Sequence, residues 1–389
     1  MGIANSERLL KGHIPGLLSL WRGGGGGGAL TKGEVSRAGE ALLRLQRGLT
    51  GERSLAGAGY MQDSTLLGAY LLYYWPVSYL QVSLALSSRS DLLSKLGDGS
   101  IVRMLDLGCG PGAASSAFCD LLPGRKKEVF LVDASQKAMK IANRLLAKDD
   151  VAVTENVMNF QQDALPKGPE PFDVIIVNHL LNELWTGMAD AVQRRVAFLI
   201  EWTKLLKPSG LLFFAEPALL STSRDAMAVR DGLASQGFSV LSPCTGDGPC
   251  PALLAGEGNT CHGEVGWNPI EPIASLARVA NLDRESVKMT FFLMGKKKED
   301  RNASPQGVIR ARVVSDAMLN KSGRVRYLLC DGSRRFAFSA DKKDPFARKA
   351  GFDSLRRYDL VEITGAEARG DAYGCNPRTV IKLLSRIAR

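Results

Sequence analysis

Along residues 32–49 the apolar positions Val35, Ala38, Leu42, Leu45 and Leu49 recur three or four apart, the spacing of one helix face. Helix-like patterning extends over residues 32–95. From residue 101 the pattern changes to short apolar runs separated by helix-length segments. Residues 101–107, 129–133, 157–160, 172–177 and 210–215 predict five strands. Residues 135–148, with Ala138, Ile141, Ala142 and Leu145 on one face, predict an intervening helix, as do 189–206 and 222–236. Such alternation predicts a parallel sheet covered by helices on both faces. Residues 238–241 and 287–294 predict two closing strands. Beyond them, runs at 307–314, 324–330, 334–339 and 358–363 predict a small β-rich module.

The expected organisation is therefore a helical region over 1–95, an α/β domain over 96–295 with a Cys-rich insertion at 243–265, a charged linker over 296–306, and the module over 307–389. The six-glycine run Gly23–Gly28 is expected to be flexible. Residues 64–88 carry no charge and are long enough to span a bilayer. Pro76, Gln81 and the aromatics Tyr70, Tyr73, Tyr74, Trp75 and Tyr79 lie in the middle of that run. They predict instead two buried helices broken near Pro76, with no membrane partner. The amino-terminal Met1-Gly2 pattern for myristoylation is short and matches by chance, and the first twenty residues lack an Arg/Ser-rich stripe.

Charge sharpens this division. The formal net charge is +10, but residues 296–389 hold 22 Lys and Arg against 11 Asp and Glu, a net of +11. The rest of the chain is close to neutral. Localised basicity points to a polyanion, RNA being the commonest. The seven cysteines, an odd number, argue against a disulfide framework.

Leu105-Asp106-Leu107-Gly108-Cys109-Gly110-Pro111-Gly112 joins a predicted strand to a predicted helix. Its glycines let the backbone turn sharply and approach a ligand. Asp133 ends the next strand, where a carboxylate is placed for the two hydroxyls of a ribose. Asp163 follows the third strand. The G-x-G-x-G spacing, the acidic residue two before the first glycine and the later carboxylates together resemble the class I S-adenosylmethionine-dependent methyltransferases. The resemblance implies an α/β, Rossmann-like, seven-stranded sheet. It puts Asp106, Gly108, Gly110 and Gly112 near the methionyl part of S-adenosylmethionine, Asp133 at the ribose and Asp163 at the adenine. Asn178, ending the fourth strand, joins this cofactor-binding set.

Further stretches narrow the resemblance: Tyr73-Tyr74-Trp75-Pro76-Val77, Asn178-His179-Leu180-Leu181-Asn182-Glu183-Leu184, Ala215-Glu216-Pro217, Pro243-Cys244 through Cys250-Pro251, Cys261-His262 and Leu329-Cys330-Asp331-Gly332. In this order they resemble the methyltransferase-like small-ribosomal-subunit assembly factors of mitochondria and their bacterial relatives. That family implies S-adenosylmethionine binding, small-subunit ribosomal RNA as partner, and a four-cysteine [4Fe–4S] cluster. It implies a cytoplasmic site of action in bacteria and the mitochondrial matrix in eukaryotes, with the protein monomeric off the ribosome. Gly263-Glu264-Val265 departs from the aromatic and basic residues the family shows there.

Cys244, Cys250 and Cys261 lie in a Gly/Pro-rich loop without apolar periodicity, which suits metal ligation better than a core. The fourth ligand is Cys330 or His262. Spacing alone leaves zinc and iron–sulfur open; the resemblance favours iron–sulfur with Cys330. His179 and Glu183 are the candidates for accepting a proton from a methyl acceptor. The expected activity is methylation of bound rRNA. The alternatives are a catalytically silent assembly factor that uses both cofactors structurally, and a small-molecule or protein methyltransferase. The RNA contacts expected of the basic module are Arg324, Arg326, Arg334, Arg335, Lys342, Lys343, Arg348, Lys349, Arg356 and Arg357, and its strand pattern resembles a small oligonucleotide-binding barrel.

Overall fold

A computed structural model describes residues 2–51, 58–99, 101–163, 170–282, 285–296 and 305–387. The chain forms two compact units, residues 1–216 with 266–287, and residues 217–265 with 288–388. The expected linker falls largely outside the described residues.

The first unit opens with helices α1 (Ile3–Trp21), α2 (Lys32–Gln46), α3 (Ser64–Ala69), α4 (Trp75–Ser87) and α5 (Ser90–Leu93). Thr31 and Glu34 form a reciprocal capping box that starts α2. The Gly23–Gly28 run, expected to be flexible, wraps the Arg22 guanidinium. Arg22 donates to the carbonyls of Gly26, Gly28 and Ala29 and pairs with Glu34. The uncharged stretch does hold two helices, joined by a π-helical turn over Tyr70–Tyr74, with Pro76 in the first turn of α4. Every residue of α4 is buried. No helix among the described residues is long and apolar enough to cross a membrane.

Strands and helices then alternate: β1 (Val102–Leu107), α6 (Ala113–Leu121), β2 (Lys127–Asp133), α7 (Gln136–Leu146), β3 (Val151–Val157), β4 (Phe172–Asn178), α8 (Ala191–Thr203) and β5 (Leu206–Glu216). These five strands are parallel, in the order β3-β2-β1-β4-β5. The third strand corrects the sequence expectation of 157–160. Val151, Val153 and Val157 supply its β-branched positions, and its alternating half-exposure is that of an edge strand. Chain order reverses at β1, which pairs Leu107 with Val132 on one side and Val177 on the other. The carboxyl ends of β1, β2 and β4 therefore open on one crevice, the usual ligand position in such sheets. Helix α11 (Ile273–Val279) also belongs to this unit.

The second unit contains α9 (Leu220–Ser235), β6 (Ser239–Ser242), α10 (Pro251–Leu254), β7 (Gly263–Gly266) and β8 (Ser286–Gly295). β6 and β8 are antiparallel, pairing Val240 with Met294. The five parallel strands and this antiparallel pair make up the strand set of the class I methyltransferase fold.

The remainder is a barrel of β9 (Val308–Val313), β10 (Met318–Leu319), β11 (Arg324–Cys330), β12 (Arg335–Asp341), α12 (Pro345–Lys349), β13 (Leu360–Thr364), β14 (Glu367–Arg369), β15 (Ala372–Gly374) and β16 (Val380–Ser385). β9 pairs antiparallel with β11 and β13, and β11 with β12. β15 runs parallel to β12, and β16 antiparallel to β13. β15 and β16 thus share the part of one fifth strand, and α12 separates the third strand from the fourth. This is the topology of the oligonucleotide-binding barrel. Ala311, Val313, Tyr327, Leu329, Phe336, Phe338, Phe352, Val361 and Ile363 fill it.

Candidate functional site

The first unit gathers most of the predicted cofactor residues at the crevice. Gly108, Gly110 and Gly112 all have positive φ, of 68°, 50° and 78°. They differ in what a side chain would meet. A Cβ on Gly112 would lie 2.7 Å from that of Ala142 on α7, and one on Gly108 would meet Leu180. A Cβ on Gly110 would find only the Met61 methyl, at 3.7 Å. Gly108 and Gly112 are thus required by packing, while Gly110 faces the crevice.

Asp133 accepts from the Gly110 N–H at 2.8 Å and the Ser135 N–H at 2.7 Å. It holds the turn and keeps a second lone pair on each oxygen. Burial raises its carboxyl above the ordinary value. Asp106 is fully buried; burial pushes it up to about 7 against the opposing Ser115 hydrogen bond. Its Oδ1 has no partner, and neither has Asn178 Oδ1 at the end of the adjoining strand. Asp163 is exposed and accepts from the Asn159 N–H at 2.7 Å.

His179 has a φ of 59°, a left-handed conformation uncommon outside glycine, although histidine is one of the residues that adopt it more often. Its N–H donates to the Ala215 carbonyl at 2.8 Å, Nε2 is buried without a partner, and burial pushes the imidazole down to about 4. Glu216 is buried and pushed up to about 8. It accepts from the Leu181 N–H at 2.9 Å and from Asn182 Nδ2 at 2.6 Å, so it clamps the loop that carries His179 and Glu183. Glu183 lies close enough to Tyr60 and Tyr70 to raise both phenols, after burial itself.

Sequence reasoning missed the wall that the amino-terminal helices give this crevice. Trp75 Nε1 donates to the Pro111 carbonyl at 2.9 Å, and Met61 faces Gly110. The Tyr-Trp-Pro stretch was visible, but its target in the glycine turn was not.

The second unit brings Cys244, Cys250, Cys261 and Cys330 onto one cavity of about 40 Å³. All four are free thiols. Arg230, Arg312, Arg335 and Tyr358 line the same cavity. Two of these arginines hold the cysteine loop by its carbonyls. Arg230, buried on α9, donates to Gly246 and Gly248. Arg312, buried on β9, donates to Pro243 at 2.8 Å and Tyr358 at 2.7 Å. Arg335 donates to the Thr260 carbonyl at 3.0 Å, and Tyr358 Oη lies 3.4 Å from Cys261 Sγ. Burial pushes the thiols of Cys244 up to about 12 and Cys330 to about 11, and raises Cys250. The neighbouring guanidinium of Arg230 pulls Cys244 the other way. His262, the alternative fourth ligand, is not among the cavity-lining residues; its Nε2 lies 3.8 Å from Glu264.

A family model described as mitochondrial small ribosomal subunit Rsm22 matches residues 65–350. The chain belongs to the Rsm22 family. The match covers both the crevice and the four cysteines of this Rsm22-family chain. The chain is also 32% identical over 124 residues to an uncharacterised methyltransferase of Schizosaccharomyces pombe, covering 31% of its own length and 41% of that relative. It thus spans less than half of the curated relative it matches. Among solved structures it is similar to an S-adenosylmethionine-dependent methyltransferase of Leishmania major, with 15% identity, 66% and 82% of the two chains covered, and a TM-score of 0.36. It is similar too to the plantazolicin methyltransferase BpumL in complex with S-adenosylhomocysteine, with 10% identity, 68% and 99% coverage, and a TM-score of 0.35. These structural likenesses are too loose to bear on function.

The Rsm22 crevice suits the cofactor of the methyltransferase fold. The orphaned oxygens Asp106 Oδ1 and Asn178 Oδ1 are acceptors, so their ligand must bring donors such as an ammonium or hydroxyls. The cysteine cavity is a different case. Among the described residues no group of three or more His, Cys, Asp or Glu is arranged to hold a metal ion. The expected metal centre is therefore not shown. What is present is a set of four soft donors from two chain segments, with three guanidinium groups to offset thiolate charge.

Proposed function

We propose that this protein binds S-adenosylmethionine in the crevice of the first unit and acts on small-subunit ribosomal RNA. The orphaned, buried acceptors Asp106 Oδ1 and Asn178 Oδ1, beside a glycine turn at positive φ, carry the cofactor reading. Asp106 and Asn178 would receive the methionyl ammonium and Asp133 the ribose hydroxyls through its free lone pairs. Gly108, Gly110 and Gly112 would line the methionyl side, and Asp163 would meet the adenine. The cofactor supplies an electrophilic methyl group. An attacking RNA nitrogen or hydroxyl forms the new bond as the carbon–sulfur bond breaks, and its proton must leave. His179 Nε2 or the Glu183 carboxylate would take that proton. Asp133→Ala is expected to abolish S-adenosylmethionine binding in calorimetry and methyl incorporation into immature small subunits. Retained binding overturns the site assignment.

One observation favours a silent assembly factor as second reading. An imidazole held near 4 is a weak base, and Glu216 is spent on clamping its own loop. Nucleoside mass spectrometry of subunits matured with parent and Asp133→Ala protein separates the readings. A modified nucleotide lost in the variant supports the enzyme; normal modification with failed maturation supports the factor.

In the second unit we propose that Cys244, Cys250, Cys261 and Cys330 hold a [4Fe–4S] cluster. A single zinc ion needs thiolates converging at about 2.3 Å from one point, whereas a cluster spreads its ligands around a cube. Four thiols on one cavity, with buried guanidinium groups beside them, supply the donor set that such a cluster takes. Anaerobically purified protein should absorb broadly in the visible and bleach with dithionite, and Cys330→Ser should lower its iron content. Colourless protein containing zinc overturns the assignment. We propose that it acts in the mitochondrial matrix, in keeping with the mitochondrial description of its family, and as a monomer off the ribosome.

A further inference from the structure

The buried polar atoms left without partners differ in kind between the two units. Asp106 Oδ1 and Asn178 Oδ1 in the crevice can only accept, whereas Arg230 Nε carries a proton and can only donate. The Thr245 hydroxyl, also buried and without a partner among the described residues, can donate as well. Both residues line the cavity that holds Cys244, Cys250, Cys261 and Cys330. A buried donor without an acceptor is costly, so two on one cavity mark a place where an acceptor belongs.

Packing fixes the threonine. Thr245 follows Cys244, and the turn after Cys330 presses on it. A Cβ on Gly332, at a φ of 93°, would lie 2.9 Å from Thr245 Oγ1 and 2.7 Å from the Gly246 nitrogen. Only glycine lets the two segments come this close. The hydroxyl is therefore held where the segments carrying Cys244 and Cys330 meet.

Tyr358 supplies a third donor. Its φ of 69° is left-handed, an outlier for so bulky a residue. Hydrogen bonds on both sides of the residue hold it there. Its N–H donates to the Val313 carbonyl at 2.7 Å, and its own carbonyl accepts from Arg312. The ring packs edge-on against Phe291, and a Cβ on Gly263 would lie only 3.0 Å from it. The outcome is a phenol whose Oη lies 3.4 Å from Cys261 Sγ. A ligating thiolate has no proton, so in that contact the phenol donates. Strain of this kind is kept where it places a functional group.

We propose that Thr245 Oγ1, Arg230 Nε and Tyr358 Oη donate hydrogen bonds to the sulfur atoms of the bound cluster and so raise its reduction potential. The proposal rests on the cluster reading above and deepens it. Donors beside thiolate and sulfide favour the reduced cluster, which carries one more negative charge. None of the three residues is a ligand. Removing a hydroxyl therefore leaves the four thiolates in place and changes how readily the cluster takes an electron.

The test is redox titration of the whole chain, purified anaerobically, followed by visible absorbance and by electron paramagnetic resonance of the reduced cluster. Thr245→Val keeps the shape of the side chain and removes its hydroxyl, and Tyr358→Phe removes only Oη. Each is expected to keep the parent's iron content. In each, the ratio of reduced to oxidised cluster at the parent's midpoint is expected to fall about three- to tenfold. Thr245→Ser returns the hydroxyl and is expected to restore the parent's potential. Coloured protein whose potential is unchanged in both variants overturns the proposal and leaves the cluster assignment standing. A lowered potential that Thr245→Ser does not restore also overturns it, because packing and not the hydroxyl is then the cause. Iron lost from both folded variants overturns it too, since the residues then retain the cluster and do not tune it. A colourless parent overturns both this proposal and the cluster reading.

Discussion

The two candidate sites are built in opposite ways. The crevice of the first unit comes from strand ends and one contiguous turn, and it leaves buried acceptors without partners. The cysteine cavity of the second unit comes from segments about seventy residues apart in sequence, Pro243 and Arg312 among them, and its loop carbonyls are satisfied by buried guanidinium groups. Orphaned carboxylate and amide oxygens call for a ligand that supplies donors, whereas the orphaned atoms around the cysteines are the Thr245 and Thr260 hydroxyls and Arg230 Nε. A site whose backbone is already satisfied depends on the residues that satisfy it. Substitutions should therefore cost ligand affinity in the first unit and structure in the second.

Arg312→Met gives the largest contrast. It keeps much of the buried volume but orphans the carbonyls of Pro243 and Tyr358. At about 2 kcal/mol for each buried acceptor, the loss is about 4 kcal/mol. Hydrogen exchange should show protection falling over residues 243–262 and β11, with β1 to β4 unchanged. Full protection of the cysteine loop in the variant would break the comparison.

The same contrast explains what could be read from sequence. The glycine turn, Asp133 and Asn178 were legible because each sits at the end of a recognisable apolar run. The four cysteines were legible as a set because their residue type is rare. Arg230 and Arg312 were not, since a single arginine in a helix or strand carries no sign that it turns inward to a loop far away in sequence. Met61 was hidden for the same reason, while Trp75 was visible as part of a motif but its contact with the Pro111 carbonyl was not. The apolar run ending at Phe160 points to a third strand that starts six residues after the observed one, because the observed strand, Val151–Val157, is half-exposed and polar at Thr154, Glu155 and Asn156. The basic residues of the barrel also split. Arg335 and Arg357 are engaged with Thr260, Val314 and Asp316, while Arg326, Lys342 and Lys343 are exposed.

Within the crevice, two glycines sharpen the comparison at intermediate cost. Gly112→Ala places a methyl against Ala142 in a left-handed backbone. Left-handed strain and overpacking together should cost about 3 kcal/mol, read as a lowered melting temperature. Gly110→Ala has only the left-handed strain, about 1–2 kcal/mol, because its neighbour is the Met61 methyl at 3.7 Å. Yet it puts that methyl on the ligand side, so calorimetry should show S-adenosylmethionine affinity falling at least tenfold. Equal stability losses in the two variants would mean that Gly110 is also a packing residue.

The smallest effect tests the orphaned imidazole. Burial holds His179 near 4, while an unfolded histidine titrates near 6.5. Between those values the unfolded chain binds more protons, so this residue makes stability fall as pH drops from about 6.5 towards 4. The contribution is fully present above 6.5. His179→Asn removes the titration and keeps a residue that tolerates the left-handed backbone. At pH 7.5 it should change stability by no more than about 1 kcal/mol. Urea unfolding at successive pH values should show a flatter acid limb in the variant. Bound S-adenosylmethionine should leave that flattening in place if it meets Asp106 and Asn178, and change it if it engages His179 Nε2. An acid limb identical to the parent's would show that His179 is not the neutral, unpartnered group that sets this crevice apart from the cysteine cavity, whose loop carbonyls are already taken.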